Sequence, residues 1–177
     1  MNMSGIISMV ALEKDNLTIY IEIGKKSYVQ HYLDFWADGN PSPYINESFT
    51  EEVLEKELMK NDSALFVIYS NNTPVGILKI IIDKALGTYS KKDALLLQKL
   101  YLLAENSGKG VGSKVLGFVE DFARKRHKKI IWLDTMVKGK AIPFYKKNGY
   151  EIHSKKQLHY KNIKDEKREM YVMVKVL

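Results

Sequence analysis

Short apolar runs rich in β-branched and aromatic residues recur along the chain and predict seven strands. Turn-forming residues separate most of them; Ser70–Pro74, for example, predicts a hairpin. A charged loop over residues 161–168 predicts a second hairpin near the C-terminus. The predicted strands are Ile6–Leu12, Ala64–Tyr69, Val75–Ile82, Ala94–Leu103, Ile130–Asp134, Tyr150–Leu158 and Glu169–Val176.

Apolar residues at helical spacing predict four helices between these strands. Gly24 interrupts the first helix and could split or bend it. For the second, Ser48 and Glu51 form a capping box, with Thr50 as a rival cap. Residues 36–44, rich in Gly, Asn and Pro, predict a loop. The predicted helices are Leu17–Phe35, a short helix ending near Met59, Val111–Arg126 and Lys140–Asn148.

The order of elements, β-α-α-β-β-β-α-β-α-β-β, predicts an α+β (α/β) fold with one mixed, mostly antiparallel sheet. The helix over residues 111–126 joins two consecutive strands as a crossover, so those two strands should be parallel. The hairpins around them are antiparallel. Because the chain shows no internal repeat, linker or low-complexity segment, residues 1–177 are predicted to form a single domain.

The composition is that of an ordinary globular chain, with 45% apolar and 28% charged residues. There are no cysteines, which excludes disulfides and thiolate metal sites, and the four histidines form no ligand pattern. We therefore expect no metal. No apolar run reaches the roughly 18 residues of a membrane span, and the N-terminus lacks the features of a signal peptide. A cytoplasmic protein with no membrane partner is expected.

The net charge of +7 favours an anionic ligand, nucleic acid included. The basic residues are spread along the chain, and the one basic block, residues 124–129, closes a predicted helix, where cations complement the helix dipole. Nucleic-acid binding would require basic residues interleaved with exposed aromatic residues on one face. The sequence lacks that pattern, so no nucleic-acid partner is expected.

The segment Ser107–Ser113 joins the long fourth strand to the helix over residues 111–126, and it carries glycines at positions 108, 110 and 112. The free N–H groups of a helix's first turn point outward, and the helix dipole adds partial positive charge there. Glycines let the backbone approach a ligand and adopt positive φ. The segment therefore predicts a site for a phosphorylated cofactor.

Two other phosphate-binding motifs fit this segment less well. A P-loop requires Gly-Lys-Ser/Thr, whereas Ser113 precedes Lys114 here and no earlier glycine has the right offset. The dinucleotide fingerprint meets Ser113 in place of its third glycine, although Asp134 lies where a ribose-binding acid is expected. Too few elements follow Gly112 to complete the dinucleotide-binding fold.

The segment Ser107–Gly112 resembles the Arg/Gln-x-x-Gly-x-Gly/Ala motif of the GNAT acyltransferase superfamily. Upstream, Leu100-Tyr101-Leu102 matches the family's strand signature, and downstream residues 141–150 are similar to its A-x-x-F-Y-x-x-x-G-F/Y segment. The element order agrees as well, so the resemblance covers nearly the whole chain. A weaker likeness, carried by Phe49–Leu58, is to bacterial polyamine-type acetyltransferases.

The resemblance implies transfer of an acetyl group from acetyl-CoA to a primary amine. In this family the two central parallel strands splay apart, helices cover both faces of the sheet, and pantetheine binds the main chain of the first splayed strand. The tyrosine that the family often uses as an acid toward the leaving thiolate corresponds to Tyr145; the alternative role is to pack its ring beside the cofactor and give only a hydrogen bond. The expected cofactor-binding residues are Leu100, Leu102, Gly108, Lys109, Gly110, Val111, Gly112, Ser113 and Lys138, with Lys114 as a further source of charge.

Three positions depart from the family pattern. Ser107 replaces an Arg or Gln, which removes a long donor, and Lys138 replaces an Asn, where it could meet a phosphate as a point charge. Gln98 stands where the polyamine-type enzymes carry Glu, and a glutamine cannot accept the amine's proton. The sequence therefore names no secure general base; Asp134 is a candidate, with a structural carboxylate as the alternative.

The acceptor is expected to bind at the early helices and the loop over residues 36–44. Aromatic residues there could line a pocket, although aromatics on an amphipathic helix more commonly face the core. Asp34, Asp38 and Glu47 would supply carboxylates for a polycation. The aromatic and histidine candidates are Tyr28, His31, Trp36 and Tyr44.

A small-molecule amine, polyamine-like in the leading hypothesis, is therefore the expected acceptor. A peptide amine and an aminoglycoside are the alternatives. A different class of function, a non-catalytic acyl-CoA-binding or sensor protein, also fits a cofactor site without a named base. The oligomeric state is left open, a homodimer being one option.

Overall fold

A single seven-stranded sheet forms the centre of the protein, seen in a computed structural model that describes residues 5–177. The strands lie in the order β1-β2-β3-β4-β5-β7-β6, and every neighbouring pair except β4–β5 is antiparallel. This arrangement confirms the predicted fold class. The strands are β1 (Ile7–Ala11), β2 (Ser63–Ser70), β3 (Thr73–Ile81), β4 (Ala94–Leu102), β5 (Ile130–Met136), β6 (Glu151–Gln157) and β7 (Glu169–Val176).

Within residues 5–177, five α-helices connect the strands, one more than predicted. The extra helix begins at Ser42, inside the segment expected to be a loop, and Pro43 lies in its first turn, where a proline is tolerated. The next helix is capped by Thr50, whose Oγ1 accepts from the Val53 amide at 3.3 Å, so the rival cap is the correct one. The helices are α1 (Leu17–Tyr32), α2 (Ser42–Ser48), α3 (Glu51–Leu58), α4 (Val111–Arg124) and α5 (Ile142–Lys147).

The two parallel strands separate after three residue pairs. Residues 94–96 of β4 pair with residues 130–132 of β5, and beyond Leu96 β4 pairs only with β3. β5 remains paired with β7 as far as Met136. The expected splayed pair is therefore confirmed, and it leaves one edge of β4 open to a ligand.

Helices cover both faces of the sheet, as expected. The α4 side buries Leu95, Leu116 and Val119 in the larger core, while α1 to α3 enclose a second core rich in aromatic residues on the opposite face. Gly24 does not break α1; a Cβ there would lie 2.4 Å from the Phe49 ring, so the glycine admits that ring against the helix. Among residues 5–177, no helix is long and apolar enough to cross a membrane.

Candidate active site

The glycine segment begins as an open turn, and α4 starts within the segment at Val111. Gly108 and Gly110 have φ of 75° and 81°, a region that glycine enters readily. A Cβ at either position would meet no atom within 4 Å, so backbone conformation rather than crowding requires the glycines. The Lys114 amide makes the first intrahelical bond, to the Gly110 carbonyl at 3.2 Å. The three amides before Lys114 therefore lack an intrahelical partner, and such amides at a helix start are suited to an anion.

Gly112 has a different structural role. A Cβ at this position would lie 2.8 Å from Cζ of Phe144, so the bare backbone lets α5 pack directly on the first turn of α4. The glycine segment and the Phe-Tyr segment, distant in sequence, are thereby adjacent in space. Tyr145, the next residue of α5, lies in the same core cluster as Val111, the first residue of α4.

The Tyr145 side chain is 9% exposed and packs against Phe144 and Tyr150, with ring centroids 5.1 and 5.7 Å away. Burial raises the pKa of the Tyr145 hydroxyl well above its usual 10, and the Tyr32 hydroxyl of α1 adds a smaller effect in the same direction. Within residues 5–177 the Tyr145 hydroxyl has no hydrogen-bond partner. The ring is therefore held by core packing, while the hydroxyl is protonated at neutral pH and its hydrogen is not used by another described side chain.

The open edge of β4 presents the main chain of Leu100 and Leu102. The Leu103 amide donates to the Val75 carbonyl on the β3 side at 2.9 Å. Because main-chain groups alternate along a strand, those of Leu100 and Leu102 point to the opposite edge, where β5 has separated. The structure thus places both predicted pantetheine-binding residues at the splay.

One of these main-chain groups is already in use. The Leu102 carbonyl lies 2.8 Å from Nε2 of His31, in the last turn of α1. A carbonyl only accepts, so Nε2 carries the proton. Oε1 of Gln30 accepts from the Ala104 amide at 2.8 Å, so α1 is also attached to the short segment between β4 and the glycine turn. No feature of the sequence indicates these contacts, and His31 is a candidate there only for the acceptor pocket.

A bulge in β4 changes which of its side chains face α1 to α3, where the acceptor is expected to bind. Lys99 pairs with Lys79 and Leu97 with Ile80, so Gln98 has no counterpart on β3. The extra residue reverses the alternation, and Lys99 and Tyr101 face the α1 side while Leu95 and Leu97 face α4. Sequence reasoning considered only Gln98, which is exposed.

Lys99 lies among neutral side chains of α2. Its Nζ donates to the Tyr44 hydroxyl and to Ser48 Oγ, each at 3.0 Å. The Tyr44 and Tyr101 hydroxyls are 2.6 Å apart. Desolvation of the ammonium lowers the pKa of Lys99 to about 8, against its usual 10.5. No feature of the sequence distinguished this lysine from the others.

The predicted acceptor aromatics are mainly core residues. Tyr28 and Trp36 are 4% and 2% exposed, and the Trp36 indole donates to the Tyr28 hydroxyl at 3.1 Å. The Tyr44 ring stacks on Tyr28 with centroids 4.1 Å apart. The packing interpretation is therefore the correct one for Tyr28 and Trp36, and Tyr44 contributes its hydroxyl to Lys99.

The three predicted acceptor carboxylates all contact the segment between β6 and β7. Asp34 pairs with Lys167, and this contact lowers the Asp34 pKa. Asp38 accepts from the Asn162 amide at 3.1 Å, and Glu47 accepts from the Tyr160 hydroxyl at 2.6 Å. These contacts join α2 and the preceding loop to residues 158–168, which together form one wall beside the splay.

The candidate base Asp134 is engaged in an ion pair. One carboxylate oxygen accepts from Lys156 of β6, while the other is buried without a partner among the described residues. The pair joins β5 to the edge strand, which is typical of a structural carboxylate. Across residues 5–177, no cluster of three acidic, histidine or cysteine side chains could hold a metal ion.

The remaining predicted cofactor residues with polar side chains are exposed. Lys109 and Ser113 are exposed in the turn and first helical turn, and Lys138 is exposed in the turn between β5 and α5. Lys114 donates to the Gly5 carbonyl at 3.3 Å. The Ser107 hydroxyl turns inward to the Leu103 carbonyl at 3.5 Å and does not reach outward as a longer side chain would.

A family model described as "Acetyltransferase (GNAT) family" matches residues 27–150, which contain the splayed strand, the glycine turn and α5. The chain belongs to the GNAT acetyltransferase family. This membership confirms the resemblance inferred from Ser107–Gly112 and residues 141–150. The fold of the chain, in which the parallel strands β4 and β5 separate near the first turn of α4, is the one that the resemblance implies.

Curated relatives and solved structures agree with this membership. An uncharacterized N-acetyltransferase in the pepI 3′ region of Lactobacillus delbrueckii subsp. lactis is 22% identical over 179 residues, covering 99% of both chains. A spermidine N(1)-acetyltransferase of Thermoplasma acidophilum is 26% identical over 155 residues, covering 82% of this chain and 89% of that one. The fold matches the PaiA N-acetyltransferase of the same organism, solved with coenzyme A, at a TM-score of 0.76 and 19% identity over 97% and 99% of the chains.

Proposed function

We propose that this protein transfers an acetyl group from acetyl-CoA to a primary amine of a small molecule, with residues 1–177 acting as one cytoplasmic domain. The observation that carries the proposal is the row of open amides at the start of α4, beside the splayed edge of β4 and the unused hydroxyl of Tyr145. A polyamine is the leading acceptor, since one relative is named a spermidine N(1)-acetyltransferase.

The cofactor's diphosphate would bind at the glycine turn. The turn is uncrowded at Gly108 and Gly110, and the positive end of a 14-residue helix favours an anion. Lys109 and Lys138, both exposed at this end of the molecule, would add positive charge. The fit rests on unpaired main-chain donors, so it does not depend on the arginine or glutamine that Ser107 replaces.

The pantetheine arm would lie along β4 in the gap left by β5. Leu100 and Leu102 present main-chain donors and acceptors on that edge, as an edge strand does to an added strand. The thioester would then lie toward the bulge at Gln98, with Tyr145 across the gap. Acetyl-CoA supplies the activated carbonyl, and the protein orients it.

The chemistry is attack of a neutral amine on the thioester carbonyl, followed by departure of a thiolate. Tyr145 would give its proton to the departing sulfur, since its raised pKa keeps the hydroxyl protonated at neutral pH. The bond that forms is C–N and the bond that breaks is C–S. The amine's proton passes to solvent, and the Tyr145 oxygen takes a proton back from solvent, so that the products are the amide and free coenzyme A thiol. No described side chain is assigned as the general base, because Asp134 is paired with Lys156.

The direct test is release of free coenzyme A thiol from acetyl-CoA in the presence of single amines. Spermidine, a monoamine, an aminoglycoside and a lysine-containing peptide would be compared at one acetyl-CoA concentration. Turnover with spermidine, with the acetylated product identified by mass spectrometry, is expected. Saturable acetyl-CoA binding without turnover on any amine would instead indicate an acyl-CoA-binding protein.

A further inference from the structure

Lys99 and Lys79 are opposite each other on neighbouring strands, yet their environments differ. Lys79 forms an ion pair with Glu57 at 2.9 Å, so its charge is compensated. Lys99 has no carboxylate within ion-pair distance among residues 5–177. A largely desolvated ammonium without a counter-ion costs free energy, so its presence needs an explanation other than stability.

The partners of Lys99 come mainly from α2. Tyr44 and Ser48 are four residues apart, which places them on one face of the helix, and both accept from Nζ. The same ammonium lies 4.8 Å from the centroid of the Tyr44 ring and 5.6 Å from that of Phe49. Through these contacts, the Lys99 side chain attaches α2 to β4.

α2 needs such an anchor because it is only seven residues long, and its N-cap makes no side-chain hydrogen bond. Helices of this length are not stable on their own in water. Two other side-chain hydrogen bonds hold α2: Tyr44 contacts the Tyr101 hydroxyl of β4, and Glu47 accepts from Tyr160 in the segment between β6 and β7. The position of α2 therefore determines the position of the wall beside the splay.

We propose that Lys99 is a positioning residue for the acceptor amine: it fixes α2 on β4 next to the bulge and so sets the shape of the amine-binding side without touching the cofactor. The inference rests on the proposed function only for the expected change in the KM of the amine. The anchoring itself is a property of the folded chain and can be measured without any substrate.

The charge state of this anchor changes in an accessible pH range. Burial raises the pKa of Tyr44 to about 12 and that of Tyr101 further, so both hydroxyls keep their protons when Lys99 titrates near pH 8. Glu47 and Glu57 attract the ammonium at longer range, and Lys79 repels it in turn. Above pH 8 the neutral amine loses the charge-assisted bonds and the cation–π contacts.

The test compares Lys99→Met with the matched control Lys79→Met, which removes a buried lysine of the same face without touching α2. Lys99→Met should raise the KM for the amine about tenfold, the size expected for losing a hydrogen bond to a charged group, with the KM for acetyl-CoA unchanged. The ratio of the two amine KM values, variant to wild type, should approach one above pH 8. Lys79→Met should leave the amine KM unchanged.

Amide hydrogen exchange of residues 42–48 gives a readout independent of activity. At one pH, Lys99→Met should exchange faster there than wild type, and Lys79→Met should not. Unchanged exchange in Lys99→Met, or equal changes in both variants, would overturn the proposal. If wild type acetylates no amine, the proposed function fails, while the exchange result still decides whether Lys99 anchors α2.

Discussion

Gly110 and Gly117 provide a matched pair of alanine substitutions with opposite expected effects. Gly110 precedes α4 with φ of 81°, a left-handed conformation that costs an L-residue about 1–2 kcal/mol. Gly117 lies inside α4, where replacing glycine by alanine gains about 1 kcal/mol. A Cβ at either position meets no atom within 4 Å, so neither effect is obscured by a clash.

Gly110→Ala should therefore be less stable than wild type and Gly117→Ala more stable, with the two variants about 2–3 kcal/mol apart. Urea unfolding followed by circular dichroism measures this directly. Isothermal calorimetry with coenzyme A adds the functional arm: Gly110→Ala should weaken binding because the amides after it are displaced, and Gly117→Ala should not.

Three results would refute this reasoning. Wild-type stability in Gly110→Ala would mean that the turn does not keep its left-handed residue in solution. A stable Gly110→Ala variant with unchanged affinity for coenzyme A would remove the glycine turn from the cofactor site. Loss of stability in Gly117→Ala would mean that α4 is not a regular helix at that position.

Three further predictions follow from single side chains. Tyr145→Phe should lower kcat by about 10²- to 10⁴-fold with the KM for acetyl-CoA unchanged; an unaltered kcat would exclude the acid role. The pKa of Lys99 falls from 10.5 to about 8 on folding, so between pH 8 and 10.5 the unfolded chain binds more protons than the folded one. The free energy of unfolding of wild type should therefore rise by up to about 3 kcal/mol across this pH range. Urea unfolding at pH 7 and 10 should show a smaller gain in Lys99→Met, and an equal gain would contradict the assignment. His31→Ala should tighten coenzyme A binding in calorimetry, since the Leu102 carbonyl is freed; weaker binding would make His31 a cofactor ligand.

Local signals in the sequence were sufficient for much of the site. Strand runs and the glycines of residues 107–113 report backbone conformation directly, and so the parallel strand pair and the turn before α4 could be predicted. The splay of that pair was expected only from the family resemblance. Residues 36–44 misled because Gly, Asn and Pro also occur at the start of a helix, and α2 begins at Ser42.

The features that the sequence did not reveal depend on long-range contacts. The bulge at Gln98 shifts the alternation of side chains along β4 by one residue, and the sequence of the strand does not indicate it. This shift turns Lys99 toward α2. The contact between His31 and Leu102 joins positions 71 residues apart. Gly24 and Phe49 similarly fit one another across two helices, although the glycine suggested a break in α1.

The central claim is that main-chain amides at the start of α4 hold the diphosphate of coenzyme A. A crystal structure of the protein with coenzyme A bound tests it most directly. The account predicts diphosphate oxygens within hydrogen-bond distance of amides from Gly108 to Ser113, with the pantetheine arm along β4. A diphosphate bound at any other part of the molecule would contradict the account.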